Sequence, residues 1–253
     1  VKLWYYLMIR YLPIPILFRL KVKTEVFPID SQNIEEPVYI GVDIGTGASR
    51  TVAFDKEVNE KTVHYEEHST RSEQPGQAVQ NPQEILNSVE TSLQKVINKA
   101  NFVKAVSFAS ILPSLVGFDR DGRPLTPLYI WADTRGDKYA NRLGKAITDF
   151  HSRTGCVLHP SYPAVKLLWL KEEKPELFES VSYWGSIKSF VFTNLIGKSV
   201  EDRGVASASG LLNTDLEWDE QILDFLEISP DELPELVDTT RKLDGEINMK
   251  GLS

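Results

Sequence analysis

A single cysteine stands in the 253 residues. Cys156 alone cannot form an internal disulfide. His151 and His159 flank it, but no Cys/His cluster has the spacing of a zinc site. Both observations fit a reducing compartment, and a cytoplasmic location is expected. A basic excess is also lacking: 28 Lys and Arg against 36 Asp and Glu leave a net charge of −8. That balance excludes a broad nucleic-acid surface. It leaves room for phosphate held locally by backbone amides and one metal ion. Nor is there the run of about 20 apolar residues that a membrane-spanning helix needs. The apolar start at Leu3–Ile9 is broken by Arg10, Pro13, Pro15 and Arg19, and no small-residue cleavage site follows, which argues against a secretion signal. Residues 1–37, beginning with Val1 in place of Met, are expected to be an atypical extension, disordered or not native. Residues 38–253 are expected to carry the fold.

What is present begins at Val38. Val38–Val42 is a short apolar strand, and Asp43-Ile44-Gly45-Thr46-Gly47-Ala48-Ser49 follows as a turn. Arg50–Asp55 alternates as a second strand and Thr62–Thr70 as a third. So short a connection makes the first two strands antiparallel, because a parallel return needs a crossover of a dozen residues or more. Asn81-Pro82-Gln83-Glu84 opens a helix with a cap, a proline in its first turn and a capping box. Ile85, Leu86, Val89, Leu93, Val96 and Ile97 then share one face. Val103–Ser110 reads as a buried strand, and Leu115–Phe118 with the Asp119–Gly122 turn as the start of a hairpin. Beyond Trp131 the pattern is mostly helical, with helices over Ala164–Lys171, Ile187–Leu195 and Asp219–Leu226. The fold class is α/β: a mixed sheet starting as an antiparallel three-strand meander, flanked by helices.

Three glycine patterns suggest phosphate contact. Gly45-Thr46-Gly47-Ala48-Ser49-Arg50 approaches a dinucleotide fingerprint, with Glu66 or Glu67 near the place of its ribose-binding acid. Arg50 replaces the third glycine, and a strand follows where that fingerprint requires a helix. Gly197-Lys198-Ser199 resembles the end of a P-loop, but its earlier glycine would fall at Phe192 inside a helix, so Gly197 reads as a left-handed helix end. The third pattern is strand, Asp-x-Gly-Thr-Gly, strand. Small residues there let phosphate oxygens approach backbone N–H groups. Thr46 adds a hydroxyl, and Asp43 can hold Mg²⁺ directly or through its waters. The alternative is an ordinary turn using glycine for positive φ.

The downstream chain resembles one family. Ser161-Tyr162-Pro163-Ala164-Val165-Lys166-Leu167-Leu168-Trp169-Leu170-Lys171-Glu172-Glu173 is similar, position by position, to a signature of the FGGY carbohydrate kinases. The Asp43–Gly47 turn looks like that family's first phosphate motif, and Ala206–Gly210 with Trp218-Asp219 resembles its late segment. The resemblance implies a ribonuclease H-like, actin-type ATPase domain that works with ATP and Mg²⁺. It implies phosphate or nucleotide contact by Asp43, Gly45, Thr46, Gly47 and Arg50, with Asp43 as the metal residue. Ile130–Arg135 looks most like the gluconate kinases, where the matching tryptophan packs on the sugar. Trp131, Asp133, Arg135, Ser161 and Tyr162 are therefore the expected substrate residues. Trp131 would offer an apolar face, Asp133 would accept from hydroxyls, and Arg135 would grip a sugar-acid carboxylate. For Arg135 an ion pair within the Arg135–Lys138 run is the alternative. Lys166 and Trp169, three apart on a helix, also fit a structural role.

Two departures bear on function. Many of these kinases carry Met-His after the fourth strand, where this chain has Leu112-Pro113, and proline cannot make the polar contact. The family's general base, an aspartate in a Gly-Asp motif, is expected beyond Ser253; Asp244-Gly245 has the wrong order and comes too early. The expected function is thus the N-terminal half of a kinase acting on gluconate or a related sugar or polyol. It is expected to be inactive alone, with a C-terminal kinase domain as partner in the complete protein. A homodimer is compatible with this; nucleic acid and membrane are not expected partners. The alternatives are a non-catalytic sugar- or nucleotide-binding module of the same fold, a xylulose- or glycerol-type substrate, or an actin-like assembly ATPase.

Overall fold

The computed structural model describes the backbone of Phe18–Arg19, residues 34–244, and Ile247 and Met249. Most of the expected extension, together with Gly245 and residues 250–253, lies outside the described residues. Along the chain the strands are β1 (Phe18–Arg19), β2 (Val38–Ile44), β3 (Ala48–Phe54), β4 (Glu60–Glu67), β5 (Thr70–Arg71) and β6 (Val79–Gln80). Helix α1 (Pro82–Ile97) leads to β7 (Val103–Ser110), β8 (Ser114–Phe118) and β9 (Leu128–Ile130). Then come α2 (Asp137–Ala146), α3 (Phe150–Thr154), α4 (Pro163–Glu173) and α5 (Pro175–Ser180). The remainder is β10 (Tyr183–Gly185), α6 (Ile187–Ile196), β11 (Val200–Asp202), α7 (Arg203–Ala206), α8 (Glu220–Leu226), β12 (Glu235–Val237) and β13 (Leu243–Asp244).

These elements form two compact units. The first draws its described residues from Val1–His68, Glu84–Ser110 and Asp238–Ser253. Its sheet has the order β4-β3-β2-β7, with β2 antiparallel to β3 and parallel to β7. The central strand β2 is apolar at nearly every position, as a strand paired on both edges and covered on both faces must be. The third strand ends at Glu67, earlier than the pattern to Thr70 suggests, because the His68 N–H turns back to the Gly47 carbonyl (3.1 Å). Helix α1 begins as expected, with Asn81 Oδ1 accepting from the Gln83 N–H at 3.0 Å. Its six predicted apolar positions, Ile85 to Ile97, are all buried. Inside the segment set aside as an extension, β1 runs parallel to β13. Ile34 bridges to Ala100, and Glu36 pairs with Lys61 at 2.5 Å. The fold thus starts ahead of Val38.

The second unit comprises Ser69–Gln83 and Ile111–Val237. Its sheet runs β10-β8-β9-β6-β5. The expected hairpin is there, with Ser114 opposite Ile130 and Leu115 opposite Tyr129 in antiparallel register. Helix α4 is buried from Pro163 through Leu170 on every side, the pattern of a helix inside a core. Around it pack Leu115, Tyr129, Leu143, Ile147, Trp184, Ile222 and Leu226. Helix α6 ends on Gly197 at φ 68°, the left-handed terminus read from the sequence. The short strands β10, β11 and β12 fall where the sequence pattern shows only helix and loop.

Candidate functional site

The turn between β2 and β3 holds Asp43, Gly45, Thr46 and Gly47 together at one end of the first unit's sheet. Asp43 lies opposite Arg50, and Ile44 opposite Ser49. The Gly45 N–H donates to the Ala48 carbonyl at 3.0 Å and closes the turn. Neither glycine has a positive φ, so the ordinary-turn explanation for them does not hold here. A Cβ at Gly45 would come within 3.1 Å of the Ala48 carbonyl, whereas one at Gly47 would meet nothing within 4 Å. Gly45 therefore serves the fold. Gly47 is exposed, and although its carbonyl is taken by the His68 N–H (3.1 Å), it has no side chain to hinder close approach of an anion to the turn. Just past the turn the hydroxyls of Ser49 and Ser88 bond at 2.7 Å, and those of Thr51 and Ser92 at 2.8 Å. All four residues are buried, so α1 fastens β3 directly behind the turn.

Asp43 is half-buried, and burial raises its pKa while Arg50 opposes the rise. A carboxyl in that state gains from a nearby divalent cation, which would hold it ionised, so the residue fits the expected Mg²⁺ contact. Among the described residues no group of three or more His, Cys, Asp or Glu gathers around a common point. Arg50 Nη2 lies 3.4 Å from Glu60, at the far end of β4, and the guanidinium sits 5.1 Å from the Tyr65 ring centre.

In the second unit the Trp131–Arg135 segment follows β9. Trp131 is 51% exposed, which leaves a ring face free for stacking. Asp133 has no exposed surface. Its Oδ2 accepts from the Ala78 N–H at 3.0 Å and from Arg135 Nη2 at 2.7 Å, while Arg135 Nε lies 3.2 Å from Oδ1. Arg135 in turn stacks 4.7 Å from the Trp169 ring centre. The expected hydroxyl acceptor and the expected carboxylate clamp thus engage each other, inside a buried fork-to-carboxylate pair. The ion pair of Arg135 is a buried one with Asp133, not the one within the Arg135–Lys138 run that the sequence offered.

Ser161 and Tyr162 precede α4, both half-buried. The Ser161 hydroxyl lies 2.8 Å from His159 Nδ1. Between the two substrate segments stands Lys166, fully buried on α4. Its ammonium donates to the carbonyls of Asp133 (2.9 Å), Pro160 (2.7 Å) and Ser161 (2.9 Å). Burial lowers its pKa to about 8, with the Asp133 carboxylate opposing. The three spokes tie the Trp131 segment to the Ser161 segment. Residue spacing had allowed Lys166 a structural role; no pattern in sequence announces three backbone acceptors.

The sequence reading also missed Lys188 and Asp202, which pair at 2.6 Å with almost no exposure, and Glu201 beside them. In the sequence, Lys198 to Arg203 looks like a solvated charge run, and only β11's place beneath α6 hides two of its acids.

A mixed sheet that opens with a glycine hairpin and takes its next parallel strand after a helix is the nucleotide-binding core of the actin-type ATPase fold. The chain belongs to the FGGY family of carbohydrate kinases, whose N-terminal domain matches residues 38–251. A gluconokinase of Bacillus subtilis is 31% identical over 209 residues, which are 79% of this chain and 40% of that protein. A glycerol kinase of Thermococcus kodakarensis is 27% identical over 211 residues, 79% of this chain and 42% of the relative. The crystal structure of a gluconate kinase from Lactobacillus acidophilus superposes with a TM-score of 0.76 at 28% identity, over 83% of this chain and 48% of the other. A ligand-bound xylulose kinase from the same organism gives the same figures. The chain spans less than half the length of these relatives. Among the described residues no helix is long and apolar enough to cross a membrane.

Proposed function

We propose that this chain is the nucleotide-phosphate- and sugar-binding N-terminal portion of an ATP-dependent kinase that phosphorylates a hydroxyl of gluconate or a closely related sugar or polyol. The observation that carries the reading is the hairpin turn at Asp43–Gly47, whose second glycine is required by neither backbone torsion nor packing. Gly45, Thr46 and Gly47 line the phosphates, and Asp43 orients Mg²⁺, which neutralises charge on the transferring phosphoryl group. Trp131 gives the sugar an apolar face, with Ser161 and Tyr162 beside it in the same unit. Asp133, Arg135 and Lys166 shape that surface from behind. Gluconate rests on the likeness to gluconokinases, since Arg135 is already engaged by Asp133. The general base and the adenosine contacts are assigned to parts of the complete protein outside this chain, so the chain alone binds ligands and turns over little or nothing.

The test is ADP release by the complete protein with gluconate, xylulose, glycerol and ribulose, in wild type and Asp43→Ala. Turnover with one of the four, abolished in the variant while the fold survives, is the expected result. Full activity of Asp43→Ala would remove the metal assignment. Sugar binding by the complete protein without ADP release would favour a binding module.

A further inference from the structure

Within the second unit a cleft runs inward from Leu112 and Pro113 past Ser114 and Pro163 to Ser186 and Glu201. Leu112 is exposed, Pro113 half-buried and Glu201 only 3% exposed, so the carboxyl lies at the inner end. The cleft offers about 30 Å³, room for a hydroxyl or a water but not for a sugar ring. Glu201 Oε2 accepts from the Ser186 N–H at 3.3 Å, whereas Oε1 is buried without any partner. Trp184, on the same cleft, has an indole N–H in the same condition. Buried polar atoms are nearly always satisfied, and one that is not calls for an explanation, such as a water or a ligand group that it receives.

The cleft opens beside the proposed sugar surface. Ser114 pairs with Ile130 across β8 and β9, so Pro113 and Trp131 each lie one residue beyond that pair. Pro163, on the cleft wall, directly follows Tyr162. Leu112 and Pro113 bring no side-chain hydrogen-bonding group to the rim, so Glu201 is the polar end of a mostly apolar recess.

We infer that Glu201 is a specificity-determining residue of this sugar site, receiving one hydroxyl of a polyol or sugar whose remaining carbons lie outside on Trp131. The inference rests on the sugar-kinase reading above. A buried group that must be satisfied by a substrate hydroxyl penalises analogues that lack it. Burial pushes the Glu201 carboxyl up to about 7, so near neutrality a large share of it is the acid form, able both to donate and to accept.

The test uses the complete kinase and its preferred sugar with the set of monodeoxy analogues of that sugar. Wild type, Glu201→Gln and Glu201→Leu are compared by KM, kcat and calorimetric sugar affinity, with thermal midpoints to establish folding. In Glu201→Leu the KM for the parent sugar should rise roughly tenfold, the effect of one hydrogen bond of ordinary strength, with kcat little changed. For the one analogue missing the bound hydroxyl, wild type and Glu201→Leu should have equal KM. Glu201→Gln, which keeps the shape and the hydrogen-bonding capacity, should retain most of the affinity and guards against a folding defect in the leucine variant. Equal KM shifts for the parent sugar and every analogue would overturn the inference, as would no shift at all, which would leave the recess to water. Absence of turnover with any sugar in wild type would instead sink the kinase reading itself.

Discussion

Arg135 holds the carboxylate of Asp133, two residues before it, with Nη2 at 2.7 Å from Oδ2, and the acid has no exposed surface. Removing one partner of such a pair strands the other charge. Asp133→Ala should therefore cost about 3–5 kcal/mol of stability. Arg135→Ala should impair acidic and neutral sugars alike, because the guanidinium acts through the Trp131 segment and not on a substrate carboxylate. Chemical denaturation and a comparison of gluconate with xylulose check both statements. Selective loss of gluconate would return Arg135 to the substrate.

Lys166→Met keeps the stem of the side chain and removes the donor from three carbonyls. Each buried acceptor left without a partner costs roughly 1–3 kcal/mol, so a lowered thermal midpoint is expected. A rise in sugar KM should accompany it, since the segments carrying Trp131 and Ser161 lose their common tether. Lysine ¹⁵N resonances should show one ammonium titrating near 8, well below its exposed counterparts. A midpoint and KM both unchanged in the variant would show that the tether does nothing.

Glu201 makes stability depend on pH. Its folded pKa stands near 7 against an unfolded value near 4.5, because burial disfavours the ion; the Ser186 hydrogen bonds and Lys188 pull it down, and Asp202 pushes it up. The native state therefore binds more protons than the unfolded state between those values. Stability from this group is full below about 4.5 and is lost as pH rises toward 7. Glu201→Gln should flatten that decline, giving a variant that gains on wild type at pH 8 relative to pH 5 in denaturant titrations. Parallel pH profiles would contradict it.

The hairpin of β2 and β3 and the buried face of α1 were legible because each rests on local periodicity and local turn chemistry, whereas α4, buried on every side, showed itself as an apolar run following Pro163. Even the side chains of Asp133 and Arg135 were picked out, but not their use. An Asp-x-Arg spacing reads the same for a substrate clamp and for an internal pair, and only burial under Trp169 distinguishes them. Glu201, Lys188 and the carbonyl partners of Lys166 were hidden for another reason. Their partners lie anywhere from 5 to 33 residues away along the chain, with no spacing rule to connect them. The short strands β10 to β12 escaped for the same cause: three residues hold no period.

Gly45 and Gly47 differ in what they do, and that difference bears on the central assignment. Gly45→Ala should destabilise the hairpin by about 1–3 kcal/mol, since its Cβ would press on the Ala48 carbonyl. Gly47→Ala should change stability by no more than about 0.5 kcal/mol. The most direct measurement is the KM for MgATP of Gly47→Ala in the complete protein, taken alongside its thermal midpoint. An unchanged midpoint with a KM raised tenfold or more is expected if phosphate oxygens approach the bare backbone at Gly47. An unchanged midpoint with an unchanged KM would mean that no phosphate comes near this turn.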